Sequence, residues 1–187
     1  MLNLFDAKFS GLSPISRLAW VSYMSRETKK TILLLGKNGM LGQAILEKFK
    51  IQNSKFKVIS WNRQDLDITG KKQVSKKISE LKPDIVINAT GYTNVDGAES
   101  DYQTAFKVNG DAVGYIAEAC RQIGASLMHF STDYVFDGTQ AQGYCEDDVE
   151  HIGPLNVYGE SKLKGENNVK CQMSNVKSNP NVKCPKF

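Results

Sequence analysis

The 187-residue sequence lacks the patterns that mark several classes of protein. Its cysteines form no CxxC pair and its two histidines have no spacing that would suit zinc, so no divalent metal can be assigned. No apolar run approaches the ~20 residues of a membrane-spanning helix. These absences predict a soluble, cytoplasmic protein with free thiols and no membrane partner. The cysteines are Cys120, Cys145, Cys171 and Cys184.

A strong excess of one charge is also missing. The formal net charge is only +4, and the lysines are scattered among Asp and Glu, so a nucleic-acid partner is not indicated. The length suits one domain. Residues 1–30 mix apolar, basic and serine residues without a sustained period and have no secretory apolar region, which predicts a poorly ordered leader.

Short, nearly continuous apolar runs alternate with longer segments of helical periodicity. The runs are residues 31–36, 57–61, 84–90 and 126–132. The helical segments are Leu41–Lys50, Lys71–Leu81 and Tyr102–Ile123. This alternation predicts an α/β fold with a doubly wound parallel sheet over residues 31–166. Residues 167–187 are polar, and this composition predicts an irregular tail.

The first predicted strand leads directly into GKNGMLG, with glycines at Gly36, Gly39 and Gly42. Glycines permit a tight turn and a close approach to a pyrophosphate, and the following helix N-terminus offers free N–H groups. The pattern predicts a phosphate-binding loop, with a plain tight turn as the alternative.

The second predicted strand is followed by Asn62 and Arg63, where an NAD-selective site usually carries an acidic residue. An arginine there can pair with a 2′-phosphate, which favours NADPH, although Arg63 can also be an ordinary solvated charge. Asp67 can accept a hydrogen bond from the adenine, or it can cap the helix that follows.

Small and hydroxyl residues follow the third and fourth predicted strands. Ala89, Thr90 and Gly91 would let the nicotinamide ribose come near, and Thr132 and Asp133 stand at the same edge of the sheet. Ligands bind at this edge in open α/β sheets, so these residues are candidates for the site.

Tyr158 and Lys162 stand four positions apart and would share one helix face. The spacing alone also suits a solvated surface helix. Reduction of a ketone needs a proton for its oxygen, and a tyrosine beside a lysine can donate one, because the ammonium stabilises the phenolate that remains.

Four segments, GKNGMLG, DIVINATGYTNVDGAESD, STDYVFDG and PLNVYGESKLKGE, resemble the extended short-chain dehydrogenase/reductases, and within them the reductases of 4-keto sugar nucleotides. The resemblance covers roughly residues 31–166. It implies a Rossmann-type NAD(P)-binding fold, Tyr158 as catalytic acid, Lys162 as its partner, Thr132 as the residue that holds the substrate oxygen, and Asp133 as a substrate contact. The implied cofactor-binding residues are Gly36, Asn38, Gly39, Met40, Leu41, Gly42, Asn62, Arg63, Asp67, Ile68, Ala89, Thr90, Gly91, Tyr158 and Lys162.

The activity implied by this resemblance is NADPH-dependent reduction of dTDP-4-dehydro-L-rhamnose to dTDP-L-rhamnose, with NADH left open as the cofactor and a homodimer left open as the assembly. Members of the family continue for roughly another hundred residues, so we expect a truncated chain that lacks later strands and part of the sugar-nucleotide pocket. The alternative is a non-catalytic NAD(P)-binding regulatory subunit, similar to the beta subunit of methionine adenosyltransferase.

Overall fold

The computed structural model describes residues 29–51, 55–145 and 148–173. The predicted leader falls outside the described residues except for Lys29 and Lys30, and so does Cys184. Within the part of the chain that is described, no helix has both the length and the apolar character needed to cross a bilayer.

Four parallel strands form one sheet in the order β2-β1-β3-β4. They are β1 (Thr31–Leu35), β2 (Lys57–Trp61), β3 (Ile85–Asn88) and β4 (Ser126–His129). Each strand lies within one of the four apolar runs, so the predicted parallel sheet is confirmed. The chain passes from β1 to β2 on one side and then to β3 on the other, which opens a crevice beyond the carboxyl ends of β1 and β3.

Six α-helices are described, and a π-helical segment (Lys107–Asp111) joins the fourth to the fifth. They are α1 (Met40–Ile51), α2 (Lys71–Leu81), α3 (Val95–Ser100), α4 (Tyr102–Phe106), α5 (Ala112–Ile123) and α6 (Val157–Met173). The segment predicted as one helix over Tyr102–Ile123 is helical throughout, but its middle has the wider π turn.

The core lies on both faces of the sheet. On one face Leu33 and Val86 pack with Ile78 of α2 and Ile116 of α5. On the other face Leu34 and its neighbours pack against α1. This two-sided burial explains why the central strands β1 and β3 read as continuous apolar runs rather than alternating ones. In β4, at one edge of the described sheet, Met128 remains 52% exposed.

Helix α6 packs through small and polar residues rather than large apolar ones. Gly165 lies against the π segment, where an added Cβ atom would sit 2.2 Å from the Asn109 carbonyl oxygen. Asn168 is fully buried and its Nδ2 donates to the Gly110 carbonyl at 3.0 Å. The close approach of α6 to this segment therefore depends on the absence of a side chain at position 165.

The irregular tail predicted from residue 167 is wrong over residues 167–173, because α6 continues to Met173. The helix buries Asn168 and Cys171, so a polar composition that suggested a solvated tail instead forms a packed helix end. Residues 174–187 lie outside the described residues.

We expect Gly165→Ala to lower the stability of the protein. Alanine gains about 0.5–1 kcal/mol over glycine inside a helix, but forcing an extra atom into a packed contact costs about 1–3 kcal/mol. The net loss should appear as a lower urea midpoint with an unchanged slope. Asn167→Ala, at an exposed position of the same helix, is the matched control. Equal midpoints for the two variants would contradict the packing argument.

Candidate active site

The carboxyl ends of all four strands meet at one edge of the sheet, because the strands are parallel. A cleft of about 380 Å³ opens there. The predicted cofactor residues that line it are Gly36, Asn38, Gly39, Asn62, Arg63, Asp67, Ile68, Ala89, Thr90 and Gly91. Sequence analysis did not identify Leu35, Trp61, Leu66, Thr69, Tyr92, Thr104 and Val108, which also line it.

The glycine-rich loop is closed by contacts that only glycine permits. Gly36 has φ 91°, and a Cβ atom there would lie 2.7 Å from the Ala89 carbonyl oxygen. At Gly42, in the first turns of α1, a Cβ atom would lie 2.1 Å from the Gly36 carbonyl oxygen. The loop therefore folds tightly over the start of α1, next to the end of β3. Met40 and Leu41 lie in that first turn and are exposed.

The turn after β2 is held by an internal hydrogen-bond network. The Asn62 side-chain oxygen accepts from the backbone N–H groups of Gln64 and Asp65, at 2.9 and 3.1 Å. One Asp65 carboxylate oxygen accepts from the Asn62 backbone and from Lys37 of the glycine-rich loop, at 2.9 and 2.7 Å. The hydrogen bond from Lys37 is the main cause that lowers the pKa of Asp65. The network connects this turn to the glycine-rich loop, and the side chains of Asn62 and Asp65 both take part in it.

Arg63 projects from the same turn with 87% of its side chain exposed, and its nearest acid, Asp67, is 4.0 Å away. The Asp67 side chain accepts from the backbone and hydroxyl of Thr69, and these bonds lower its pKa. The suggestion that Asp67 caps the following helix is wrong, because the N-cap residue of α2 is Gly70.

A polar pair, the buried Asn88 and the half-buried His129, lies where β3 and β4 end. Asn88 is fully buried, accepts from the Thr90 backbone and hydroxyl, and has its Nδ2 3.2 Å from the Nδ1 atom of His129. The proton of His129 is therefore assigned to Nε2, which has no hydrogen-bond partner among the described residues. Burial, and secondarily the charge of Lys162, lower the pKa of His129 from 6.5 to about 4.

Lys162 of α6 contacts the segment that follows β4. Only 6% of it is exposed, and its Nζ atom donates to the Phe130 carbonyl oxygen at 2.5 Å. Burial lowers the pKa of Lys162, while Glu166 acts in the opposite direction. The predicted helix carrying both Tyr158 and Lys162 is present, and Lys162 joins it to the end of β4.

The other predicted chemical residues lie beside this junction. Thr132 follows Phe130 closely in the chain, and its hydroxyl lies 3.1 Å from an Asp133 carboxylate oxygen. The rings of Tyr158 and Tyr134 are nearly perpendicular, with their centroids 5.7 Å apart. The end of β4 and the first turns of α6 thus bring these residues into one region.

Asn109 of the π segment was not identified from the sequence, although it connects two parts of the site. Its side chain is 1% exposed, exchanges hydrogen bonds with the Tyr92 backbone N–H and carbonyl, and donates to the Ser161 hydroxyl at 3.0 Å. Ser161 in turn donates to the Tyr158 carbonyl at 2.7 Å. The loop after β3 is therefore fixed to the helix that carries Tyr158.

The fold and these residues together define a Rossmann-type α/β domain with a glycine-rich loop and a tyrosine–lysine pair. The chain belongs to the family described as the RmlD substrate binding domain, whose model matches residues 30–177. The resemblance identified in the sequence is thereby confirmed. No cluster of metal-binding side chains occurs within the described ranges.

Relatives and solved structures agree with this assignment. The chain is 42% identical over 135 residues to a dTDP-4-dehydrorhamnose reductase of Aggregatibacter actinomycetemcomitans, covering 72% of this chain and 45% of the relative. It resembles the structure of such a reductase from Clostridium acetobutylicum, with a TM-score of 0.72, 41% identity, and coverage of 76% of this chain and 49% of the other.

A Bacillus anthracis reductase of the same name, solved in complex with NADP, gives a TM-score of 0.72 at 34% identity, with coverage of 78% of this chain and 50% of the other. The chain therefore spans about half the length of the curated relatives that it matches.

The half-buried His129 leads to a prediction about acid stability. Between pH 6.5 and about 4 the unfolded chain binds this proton and the folded chain resists it, so stability falls as the pH decreases through that window. His129→Gln keeps an acceptor for Asn88 but has no such proton. The unmutated protein should lose up to about 1.4 kcal/mol more per pH unit than the variant.

Chemical denaturation at a series of pH values measures this difference. Above pH 7 the stability curves of the two proteins should run parallel, which provides the internal control. Curves that stay parallel down to pH 4 would show that His129 is not held neutral by the fold.

Proposed function

We propose that this chain binds NADPH at the carboxyl edge of its sheet and serves the reduction of the ketone in dTDP-4-dehydro-L-rhamnose to dTDP-L-rhamnose. The observation that carries the proposal is the meeting of α6 with β4, where a buried lysine four residues after a tyrosine lies next to the cleft-forming edge. A surface helix would not bury this ammonium.

The residues of the cleft fit a dinucleotide. The loop from Gly36 to Gly42 folds tightly, because a Cβ atom at either of these two glycines would collide with a backbone carbonyl oxygen. A tight glycine-rich turn between a strand and a helix lets a pyrophosphate approach the backbone. The N-terminus of α1 follows directly and carries no acidic residue in its first turn, so its free N–H groups favour an anion. The solved relative from Bacillus anthracis contains NADP, which supports the same ligand here.

The turn after β2 supports NADPH rather than NADH. Asp65 is the acid nearest in sequence to Asn62, and its bonded carboxylate oxygen is occupied by Lys37 and by the Asn62 backbone. Arg63 is exposed beside the cleft and available to pair with a 2′-phosphate.

The chain's own residues would supply the proton chemistry of a ketone reduction. Tyr158 donates its phenolic proton to the carbonyl oxygen, so one O–H bond breaks as another forms, and a phenolate remains. The Lys162 ammonium stabilises that phenolate. The Thr132 hydroxyl, now directed at Asp133, can turn to donate to the same oxygen where charge develops, and Asp133 is the proposed substrate contact. When bound, the nicotinamide supplies the hydride for the carbonyl carbon.

The substrate is proposed from the relatives, several of which are named dTDP-4-dehydrorhamnose reductase at 38–42% identity. Among the described residues, Cys120 and Cys145 are in no disulfide, which supports the proposed cytoplasmic location, because disulfides are rare in that compartment.

Two measurements on the purified chain test the proposal. Calorimetry measures NADPH binding, and the loss of NADPH absorbance on addition of dTDP-4-dehydro-L-rhamnose measures turnover. Binding with substrate-dependent oxidation is the expected result. Binding without any turnover would instead support the non-catalytic regulatory subunit, and absence of binding would contradict both functions.

Arg63→Ala should narrow the difference in affinity between NADPH and NADH. A hydrogen bond to a charged group contributes about 1.5–3 kcal/mol, and the exposure of Arg63 places the effect near the lower end of that range. Arg121→Ala, which removes an arginine from the last turn of α5, is the charge-matched control and should leave the difference unchanged. Equal affinities of the unmutated protein for both cofactors would overturn the assignment of Arg63.

Tyr158→Phe removes only the transferable proton. NADPH affinity should therefore survive while turnover falls by about 10²–10⁴-fold.

The double variant Tyr158→Phe/Lys162→Met should be scarcely slower than the worse single variant, because the effects of groups that act as a unit are not additive. Tyr102→Phe, at an exposed position of α4, is the control for loss of a phenolic hydroxyl. Undiminished turnover in Tyr158→Phe would mean that the proton comes from another group.

A further inference from the structure

Glu166 lies one helical turn beyond Lys162, so Tyr158, Lys162 and Glu166 follow one another at intervals of four residues on α6. Its side chain is 22% exposed. One of its carboxylate oxygens accepts a hydrogen bond from the Ser131 hydroxyl, in the segment after β4. The other lies 3.5 Å from the Nζ atom of Lys170.

Helix α6 therefore holds the segment after β4 at two adjacent residues. Lys162 donates to the Phe130 carbonyl oxygen, and Glu166 accepts from the Ser131 hydroxyl. Thr132, the proposed holder of the substrate oxygen, is the next residue in the chain. Its position relative to Tyr158 is consequently set by both contacts.

Glu166 also acts on the charge of Lys162. Burial of the ammonium favours loss of its proton, and Glu166 opposes this by raising the pKa of Lys162. Of the other groups around Lys162, His129 of β4 is neutral at neutral pH because its pKa is about 4, and Tyr158 lies one turn earlier on α6. Lys170 bears a like charge, but it lies at the far side of the Glu166 carboxylate.

We propose that Glu166 is a positioning residue of this site, which lies one helical turn from Lys162 and favours its ammonium form through its charge, and which holds the segment carrying Thr132 through its hydrogen bond with Ser131. The consequence for turnover rests on the proposed reductase function. The coupling between Glu166 and Lys162 does not, because it is a property of the folded chain alone.

Two substitutions separate the two effects. Glu166→Gln keeps an amide of nearly the same size that can still bond Ser131, but it removes the charge. Ser131→Ala removes the bond and leaves the charge. Glu160→Gln is the matched control, because it removes the same charge from the same helix. Glu160 lies two positions before Lys162, and side chains two positions apart on a helix do not face each other.

The titration of Lys162 can be followed by NMR in protein carrying ¹³C-labelled lysine, with its signal assigned by the loss in Lys162→Arg. Glu166→Gln should move the midpoint to lower pH, whereas Ser131→Ala and Glu160→Gln should leave it in place. Glu166→Asp restores the charge and should bring the midpoint back towards that of the unmutated protein. A midpoint unchanged in a folded Glu166→Gln protein would overturn the charge role.

Turnover tests the remaining part. In Glu166→Gln the alkaline limb of the rate profile should move to lower pH, and each half unit of movement lowers the rate on that limb by about threefold. Ser131→Ala should lower kcat without moving that limb and without changing NADPH affinity. An unaltered kcat in Ser131→Ala would overturn the positioning role. A chain without turnover whose Lys162 midpoint still responds to Glu166→Gln would contradict the reductase proposal and leave the coupling supported.

Discussion

The site depends on one buried contact, the hydrogen bond from the Lys162 ammonium to the Phe130 carbonyl oxygen. A charge taken out of water is costly unless it is well bonded, so a lysine that is 6% exposed constrains its surroundings strongly. This constraint acts on the position of α6 and on the residues that α6 packs against. It requires α6 to approach the end of β4, and it requires the residues between α6 and the rest of the domain to be small or able to form hydrogen bonds.

The interior beneath α6 meets that second requirement. Gly165 allows contact with the carbonyl of Asn109, and the buried Asn109 and Ser161 side chains have backbone or side-chain partners. The Nδ2 atom of Asn168 is also bonded, whereas its Oδ1 atom has no partner among the described residues. A hydrogen-bonded interface of this kind is directional, whereas an apolar one tolerates sliding. The rotation of α6 about its axis, and with it the direction of Tyr158, is thus fixed by polar contacts.

The sequence predicted the elements whose signals are local. The central strands β1 and β3 appeared as apolar runs because both of their faces are covered, and α2 has the bounds expected from its periodicity. The glycine-rich loop was recognisable because a tight turn against a helix start needs glycine at Gly36 and Gly42 whatever the rest of the fold does.

Features that arise from distant contacts were missed. The helical end after residue 167 was predicted to be irregular because its buried positions are polar or small and leave no apolar stripe. The π segment was not predicted, since its backbone is accommodated by Gly165 of another helix. Asp65, Asn109 and Glu166 were not singled out, because each draws its role from a partner at least 17 residues away in the chain.

The two ends of the site are stabilised in different ways, which bears on what each can do. At the proposed adenosine end, Lys37 and Asp65 are 29% and 39% exposed, so their attraction is weakened by solvent and salt. At the tyrosine end, the contacts of Lys162 and Asn109 are buried and little screened. A partly exposed turn can adjust to a phosphate that arrives from solution, whereas proton transfer needs donors held in place before the substrate binds. The distribution of burial thus fits the proposed function, in which the cofactor is recognised at the surface and the chemistry takes place against a fixed helix.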